Sequence, residues 1–179
     1  MPSAANLVPK AYRNDDRFYT EVTTAGSTEG LWPFCVAAKI AEVRAVCETN
    51  VFGVWAVYQA MPPFLRESSD ARIVNVSSGA GSLPDNATPG FAYRPIFGPV
   101  YPTSKAALSA MTLAMIIELE STGIKVNLVS PCFTKTNLNG CAGAESLENG
   151  SREVVRVTLP GPDGPTDTFT RWENVTIPR

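Results

Sequence analysis

Apolar residues along the chain form short runs typical of strands and longer runs typical of helices, and the two kinds alternate. Runs rich in β-branched and aromatic residues predict four strands, at residues 18–24, 72–78, 125–130 and 168–172. Longer, mainly apolar segments predict three helices, at residues 41–61, 102–121 and 146–159. Strands that alternate with helices are typical of an α/β fold with a parallel sheet. The pattern therefore predicts about four strands flanked by helices.

Prolines, glycines and one serine mark the ends of the predicted helices. Pro62-Pro63 is expected to stop the first helix, and Gly123 to cap the carboxyl end of the second. Ser146 is the expected N-cap of the third helix. The stretch 79–100 holds four prolines and four glycines, which predicts a long loop without a helix.

Two helical segments are apolar on nearly every face, at residues 51–61 and 106–117. A helix that covers one face of a sheet needs only one apolar stripe. The second apolar face fits either a tightly wrapped core or a subunit interface. We favour the interface, which predicts a homo-oligomer or pairing with a longer relative of this chain through helices near 41–61 and 102–121.

Composition argues against several classes of function. The chain is 44% hydrophobic and 18% charged, with a net charge of −2 and a pI near 5.2, and it has no basic run that would favour nucleic acid. It lacks an apolar run long enough to cross a membrane, and its start has no apolar core like that of a signal peptide, so we expect a cytoplasmic protein. With no histidine and no C-x-x-C pair, neither a metal site nor a Cys–His nucleophile is expected.

Tyr101 and Lys105 are the clearest candidates for chemistry. They lie four positions apart at the start of a predicted helix, so both side chains point to one face. A free phenol has a pKa near 10, and a neighbouring ammonium lowers it by favouring the phenolate. The pair therefore predicts a proton donor tuned towards neutral pH. The alternative is a simple pair on the surface.

Further polar residues occur at spaced positions around this pair. Ser78 ends the predicted strand before it and could hold a substrate carbonyl, or could merely cap that strand. Asn50 lies inside an apolar helix, where a buried amide needs a partner, either as a core amide or in a site. Downstream, a strand leads directly into Pro131, Thr134 and Thr136.

This order of residues resembles the short-chain dehydrogenase/reductase family, and the tail from residue 146 resembles its carbonyl-reductase-like members. The resemblance implies a partial Rossmann-type, doubly wound parallel sheet and NADP or NAD as cofactor. It implies that Tyr101 is the general acid or base for carbonyl/alcohol interconversion and that Ser78 orients the substrate oxygen. It also implies that Lys105 lowers the Tyr101 pKa and binds the nicotinamide ribose, and that Asn50 holds a water of a proton relay. Pro131, Thr134 and Thr136 would lie against the nicotinamide.

The family's glycine-rich phosphate loop has no good counterpart in the chain. After Gly79-x-Gly81 no helix is expected to open, and in residues 25–32 Trp32 occupies the place of the third glycine. Residues 22–26 instead resemble the family's Asn-Asn-Ala-Gly, which ends the fourth strand, so Gly26 becomes a cofactor-binding candidate. On this interpretation strands one to three are absent and the strand at 18–24 is the new edge of the sheet. Cys132 stands where the family has a glycine, and two interpretations are open for it, a small buried thiol or a redox sensor.

These observations predict a loose lead-in at residues 1–17 and one truncated domain at 18–179. Two functions remain open. One is an NAD(P)-dependent oxidoreductase acting on a small-molecule carbonyl or alcohol, weak or inactive as this chain. The other is a non-catalytic subunit that acts as an interaction or regulatory partner through its apolar helices. The aromatic residues of the stretch 79–100 fit either a substrate wall or an ordinary surface loop; they are Phe91, Tyr93 and Phe97.

Overall fold

The computed structural model describes residues 19–20, 35 and 37–179. Its strands form one five-stranded sheet in chain order. They are β1 (Tyr19–Thr20), β2 (Arg72–Val76), β3 (Lys125–Ser130), β4 (Phe169–Arg171) and β5 (Val175–Thr176). The first four run parallel, and β5 pairs antiparallel with β4. The predicted α/β fold with a parallel sheet is thus confirmed.

The fifth strand was not predicted. It follows a tight turn in which Glu173 and Asn174 have positive φ angles of 65° and 61°. Arg171 pairs with Val175, so residues 172–174 form a three-residue hairpin loop, and left-handed backbone is common in such loops. Because the turn contains no glycine, this hairpin lacks the usual sequence signal.

Helices cover both faces of the sheet. They are α1 (Ile40–Cys47), α2 (Val54–Ala60), α3 (Pro62–Glu67), α4 (Leu83–Ala87), α5 (Tyr101–Leu119) and α6 (Leu147–Thr158). Between α1 and α2 lies one π-helical segment, Glu48–Gly53. Single-turn 3₁₀ segments occur at Gly79–Gly81, Arg94–Ile96, Asn137–Asn139 and Trp172–Asn174.

Two predictions about helix ends and loops need correction, and two are confirmed. Pro62 and Pro63 end the first helix as predicted, and they also begin α3, because proline tolerates the first helical turn. The residues from 79 to 100 are not an uninterrupted loop, since α4 opens at Leu83, where the Ser82 hydroxyl caps it. Gly123 has a φ of 79° but lies beyond the C-cap of α5, which is Glu120. Ser146 caps α6 as predicted.

The core lies on both sides of β2 and β3. On one face Val126 packs with Leu108 and Met115 of α5. On the other face Val74 and Val129 pack against Val157 of α6. Because both faces are covered, β3 is a nearly continuous buried run, as expected for an inner parallel strand.

The two all-round apolar segments bury one face and expose the other. Phe52 and Trp55 are 54% and 49% exposed, and Ile117 of α5 is 64% exposed. Part of each apolar surface therefore faces away from the core. No helix among the described residues is long and apolar enough to cross a membrane.

Several predictions fall on residues outside the described ranges. They are the lead-in at 1–17, the strand residues at 21–24, Gly26 and the stretch 25–32. The division of the chain at residue 17 therefore stays a prediction. Of the predicted first strand, Tyr19–Thr20 pairs with Val74 and Asn75 of β2.

Candidate active site

The candidate site lies where the carboxyl end of β2 meets the first turn of α5. Ser78 follows β2, while Tyr101 and Lys105 occupy the start of α5. Gly81 connects the two elements closely, because a Cβ at this position would lie 2.8 Å from the Ala106 nitrogen and the Lys105 carbonyl carbon. A glycine is required for this approach of the loop to the helix backbone. Gly81 thus packs directly on the backbone of α5.

The Ser78 side chain lies close enough to the Tyr101 phenol to lower the pKa of that phenol. The Ser78 hydroxyl also accepts the Ala80 backbone N–H at 3.2 Å. A serine hydroxyl has one proton to give, so accepting from Ala80 leaves this proton for the Tyr101 oxygen. Ser78 therefore presents a donor directly beside the phenol.

Lys105 is a buried ammonium beside the Tyr101 ring. The residue is 1% exposed, and its Nζ donates to the Val76 carbonyl at 2.9 Å. The same nitrogen lies 5.8 Å from the centre of the Tyr101 ring. Burial lowers the pKa of Lys105 from 10.5 to about 8, because loss of water disfavours the charged form.

The expected lowering of the Tyr101 pKa is wrong for this structure. Burial raises the pKa of Tyr101 above its ordinary value, and the nearby Ser78 side chain only partly opposes this. The physical reason is that the phenolate loses its hydration, while the Lys105 ammonium donates to the Val76 carbonyl rather than to the phenol. Tyr101 is thus held in its protonated form.

Asn50 reaches the same turn of α5 from the π-helical segment. It is fully buried, and its Nδ2 donates to the Ser104 hydroxyl at 2.9 Å. Ser104 in turn donates to the Tyr101 carbonyl at 2.8 Å. The Oδ1 atom of Asn50 is buried and has no hydrogen-bond partner among the residues that the structure describes. Sequence reasoning placed Asn50 near Lys105 but missed Ser104, whose only signal was a small polar residue inside an apolar helix.

The segment after β3 bonds mainly to itself. The Thr134 hydroxyl donates to the Cys132 carbonyl at 2.8 Å, and Thr134 pairs with Glu145 in a short parallel bridge. Thr136 and Asn139 cap each other, since the Thr136 hydroxyl accepts the Asn139 N–H and Asn139 Oδ1 accepts the Thr136 N–H. Cys132 is a half-buried free thiol.

The structure thus brings together four of the predicted residues and leaves others apart. The residues that meet at the start of α5 are Asn50, Ser78, Tyr101 and Lys105. Within the described residues no hydrogen bond joins Thr134 or Thr136 to Tyr101 or Lys105. Gly26 lies outside the described residues. Among the described residues no cluster of three or more His, Cys, Asp or Glu could hold a metal ion.

The aromatic stretch between α4 and α5 is ordered by its own contacts. The rings of Phe91 and Tyr93 meet edge to face with centres 5.6 Å apart. Arg94 fastens this stretch to α4 by donating to the Asn86 and Ala87 carbonyls. Tyr93 and Phe97 stay about 40% exposed, at 41% and 38%.

Curated proteins with similar sequences are dehydrogenases and reductases. The chain is 39% identical over 128 residues to a short-chain dehydrogenase of Penicillium roqueforti, a match that covers 66% of this chain and 48% of that protein. It is 32% identical over 153 residues to the salutaridine reductase of Papaver bracteatum, covering 67% of this chain and 49% of that one. The chain spans about half the length of these curated relatives.

Solved structures share the fold, and a family model matches the sequence. The carbonyl reductase Sniffer of D. melanogaster superposes with a TM-score of 0.67 at 20% identity, covering 86% of this chain and 64% of that one. An NADPH-bound carbonyl reductase from chicken fatty liver gives 0.62 at 20% identity, covering 88% and 62%. At such identities these likenesses show the Rossmann-like α/β fold alone. The model of the short chain dehydrogenase family matches residues 22–146, more than half of the chain. The chain therefore belongs to the short-chain dehydrogenase/reductase family.

Proposed function

We propose that this chain carries the proton-transfer site of an NAD(P)-dependent oxidoreductase that interconverts a small-molecule carbonyl and its alcohol. The observation that carries the proposal is the buried Lys105 ammonium beside the Tyr101 ring, with the Ser78 side chain near the phenol. Such a cluster places a proton donor and a second polar group on one substrate oxygen.

Tyr101 delivers the proton in the reductive direction. Because burial raises the pKa of Tyr101, the phenol is protonated at neutral pH and can act as a general acid without a prior change of state. Ser78 donates to the same substrate oxygen and fixes its position. NAD(P), when bound, supplies or accepts the hydride, and the residues of this chain move and hold the proton.

Lys105 and Asn50 support the return of a proton to Tyr101. The ammonium has three donors, of which the Val76 carbonyl takes one. Asn50 Oδ1 is buried and lacks a partner within the described part of the chain, and we propose that a water bridges it to Lys105. This water would link the buried ammonium to solvent.

The described residues fit the reactive end of the cofactor. The remaining Lys105 donors suit the ribose hydroxyls, and Pro131 to Thr136 extend from the end of β3, the edge at which α/β sheets bind ligands. Gly26 is proposed to border the cofactor as well. We favour NADP, since similar folds include a carbonyl reductase described as NADPH-bound and a short-chain dehydrogenase described as having bound NADP.

A small-molecule carbonyl compound is the substrate class that we propose. The similar proteins include a salutaridine reductase and a carbonyl reductase, and the second name describes reduction of a carbonyl. The exposed rings of Tyr93 and Phe97 would supply an apolar wall for such a substrate. We also keep the prediction of a cytoplasmic protein, to be checked by microscopy of a tagged chain.

Calorimetric titration with NADPH tests the enzyme proposal first. We expect the folded, monodisperse chain to bind with a dissociation constant of about 1–100 μM, in the range common for enzymes and their ligands. Lys105→Ala should abolish binding, because it removes the donors for the ribose. Tyr93→Phe, which alters an exposed tyrosine outside the cluster, should leave it unchanged. No heat of binding at millimolar NADPH from a folded chain would contradict the proposal.

A non-catalytic role through subunit pairing is the second candidate, and the exposed apolar helix faces favour it. Phe52 and Trp55 line an open groove with Ala56 and Gln59, and Ile117 of α5 is also exposed. Large exposed apolar side chains of this kind mark interaction surfaces. We propose that two copies of the chain pair through these helices.

Light scattering on the eluate of a sizing column tests this pairing. Trp55→Glu should convert a dimer into a monomer, because burying a carboxylate in an apolar contact is strongly unfavourable. Phe64→Glu is the matched control, since Phe64 is 59% exposed on α3, outside the two helices. A wild-type chain that is monomeric at 100 μM would argue against self-pairing and leave a longer relative as the partner to try.

A further inference from the structure

Residues 177–179, the β5 extension, pack against residues 79–82, the β2 loop, which leads away from Ser78. Ile177 is 5% exposed. Its Cδ1 atom lies 3.7 Å from the position that a Cβ on Gly79 would take, which is an ordinary packing distance. Ile177 therefore lies directly against the first residue of the β2 loop.

The far end of the β2 loop is joined to the β5 extension by a hydrogen bond. Ser82 is 1% exposed, and its hydroxyl donates to the Pro178 carbonyl, 96 positions further along the chain. The buried amide of Asn86 donates to the Ala80 carbonyl at 3.2 Å and to the Ser82 carbonyl at 2.7 Å. Because the Ala80 N–H donates to the Ser78 hydroxyl, a continuous series of hydrogen-bonded residues connects Pro178 with Ser78.

The β5 extension is itself held firmly to the sheet. The Ile177 N–H donates to the Phe169 carbonyl of β4 at 2.8 Å. The Ile177 side chain packs with Leu128 and Phe169 in one apolar cluster. Arg179 forms an ion pair with Asp167 at 2.7 Å. The extension can therefore serve as a fixed support for the loop that lies against it.

We infer that Ile177 and Ser82 are positioning residues, through which the β5 extension holds the β2 loop where the Ser78 hydroxyl stays beside Tyr101. This inference rests on the proposed function, because that function places Ser78 at the substrate oxygen. A hydroxyl donates well only within a narrow range of distance and angle, so a shift of the loop by about 1 Å would weaken its hydrogen bond.

Two other contacts keep the β2 loop attached when the extension is altered. Gly81 packs on the backbone of α5, and the Gly79 N–H donates to the Ser130 hydroxyl at 3.0 Å. A change at Ile177 should therefore loosen the loop without unfolding the chain. If the extension only stabilised the fold as a whole, the same change would weaken loop and sheet alike.

The test uses substitutions at Ile177, which leave the sequence of the β2 loop unchanged. Ile177→Ala removes most of the contact with Gly79. Ile177→Val removes only one methyl group, and it decides the question if Ile177→Ala does not fold. Val175→Ala is the matched control, since Val175 precedes the extension on β5 and is 41% exposed.

The first readout is hydrogen exchange of backbone amides, measured by NMR on the full chain. The Gly81 N–H donates to the Ser78 carbonyl at 2.9 Å and reports on the loop. The Ser77 N–H donates to the Val129 carbonyl at 2.8 Å and reports on the sheet. In Ile177→Ala we expect Gly81 to exchange at least about tenfold faster relative to Ser77, and in Ile177→Val about threefold. Val175→Ala should leave this ratio unchanged.

The second readout is the set of Tyr101 ring signals, assigned by their loss in Tyr101→Phe. Ser78→Ala shows how these signals move when the Ser78 hydroxyl is absent. In Ile177→Ala we expect them to move in the same direction as in Ser78→Ala, because the hydroxyl is no longer held beside the phenol. In Val175→Ala they should stay at their wild-type positions.

The outcomes separate the inference from the proposed function. Faster exchange of Gly81 relative to Ser77, together with the Tyr101 change, would support the inference. Equal acceleration of both amides, unchanged exchange, or Tyr101 signals that do not move would overturn it. Failure of the wild-type chain to bind NADPH would contradict the proposed function, while both NMR readouts would still decide whether the β5 extension positions Ser78.

Discussion

The segments that leave β2 and β3 both carry residues expected at the active site, but their polar groups are used differently. After β2, Ser78 turns towards Tyr101, and the loop packs on α5 through Gly81. After β3, Thr134 and Thr136 bond to atoms of their own segment. Strand ends of a parallel sheet bring side chains to one edge, and local hydrogen bonds decide whether those side chains meet.

Glycines contact both segments. A Cβ on Gly81 would meet the backbone of α5, and a Cβ on Gly143 would meet the Thr134 and Lys135 backbone, so both segments have a contact that only glycine allows. A Cβ on Gly150 would instead meet the side chain of Thr134. A side chain can rotate or be shortened, so this one contact of the segment after β3 can be changed by substitution.

Gly81→Ala should have the largest effect on stability. Its Cβ would approach the Lys105 and Ala106 backbone to 2.8 Å, so the loop or α5 must move. We expect a loss of about 2–3 kcal/mol, within the range for overpacking, seen as a fall of the melting temperature of about 5–10 °C. Gly161→Ala is the control, because a Cβ there has nothing within 4 Å. Equal melting temperatures for the two variants would show that the loop is not clamped on α5.

Lys105 should make stability depend on pH. Its pKa is about 8 in the folded chain and 10.5 when free, so between these values the unfolded chain binds more protons. The free energy of unfolding therefore rises with pH in this window, by about 2 kcal/mol from pH 7.5 to 9.5. The raised pKa of Tyr101 acts in the opposite direction, but only at pH values near and above 10.

Urea unfolding at a series of pH values measures this dependence. Lys105→Met keeps the length of the side chain without the charge, so the difference between wild type and variant isolates the contribution of Lys105. If the difference in unfolding free energy between wild type and Lys105→Met stays constant from pH 7.5 to 9.5, the Lys105 ammonium is hydrated in the folded chain. The site at the end of β2 would then be open to water.

The sequence predicted those features of the fold and site whose signal lies within a few neighbouring residues. Tyr101 and Lys105 were readable because a spacing of four fixes one helix face, and the order of strands and helices predicted the parallel sheet. The direction in which the Tyr101 pKa shifts could not be predicted, since the shift depends on burial by residues distant in the sequence. Ser104 was missed because a serine in a helix is common, and its role depends on a partner 54 residues away.

Gly150→Ala should have a smaller effect, and one that a second change reverses. The added Cβ would overlap the Thr134 hydroxyl and methyl group, and we expect a loss of about 1–2 kcal/mol. With Thr134→Ala the overlap disappears, and alanine is then the better residue inside α6 by about 0.5–1 kcal/mol. Thermal melts of the four variants of this cycle give the coupling directly. Additive effects would contradict the contact between α6 and the segment after β3.

Thr136→Val should have the smallest effect on stability, and it decides whether the segment after β3 takes part in binding. The variant loses the hydroxyl that accepts the Asn139 N–H, which we expect to cost about 0.5–1 kcal/mol of unfolding free energy. The hydroxyl still has a proton to donate to the nicotinamide amide, so NADPH should bind about tenfold more weakly. Thr136→Ser keeps both bonds and serves as the control. If NADPH binds equally well to wild type, Thr136→Val and Thr136→Ser, the Thr136 hydroxyl acts only as a cap. The segment after β3 would then take no part in binding through this hydroxyl.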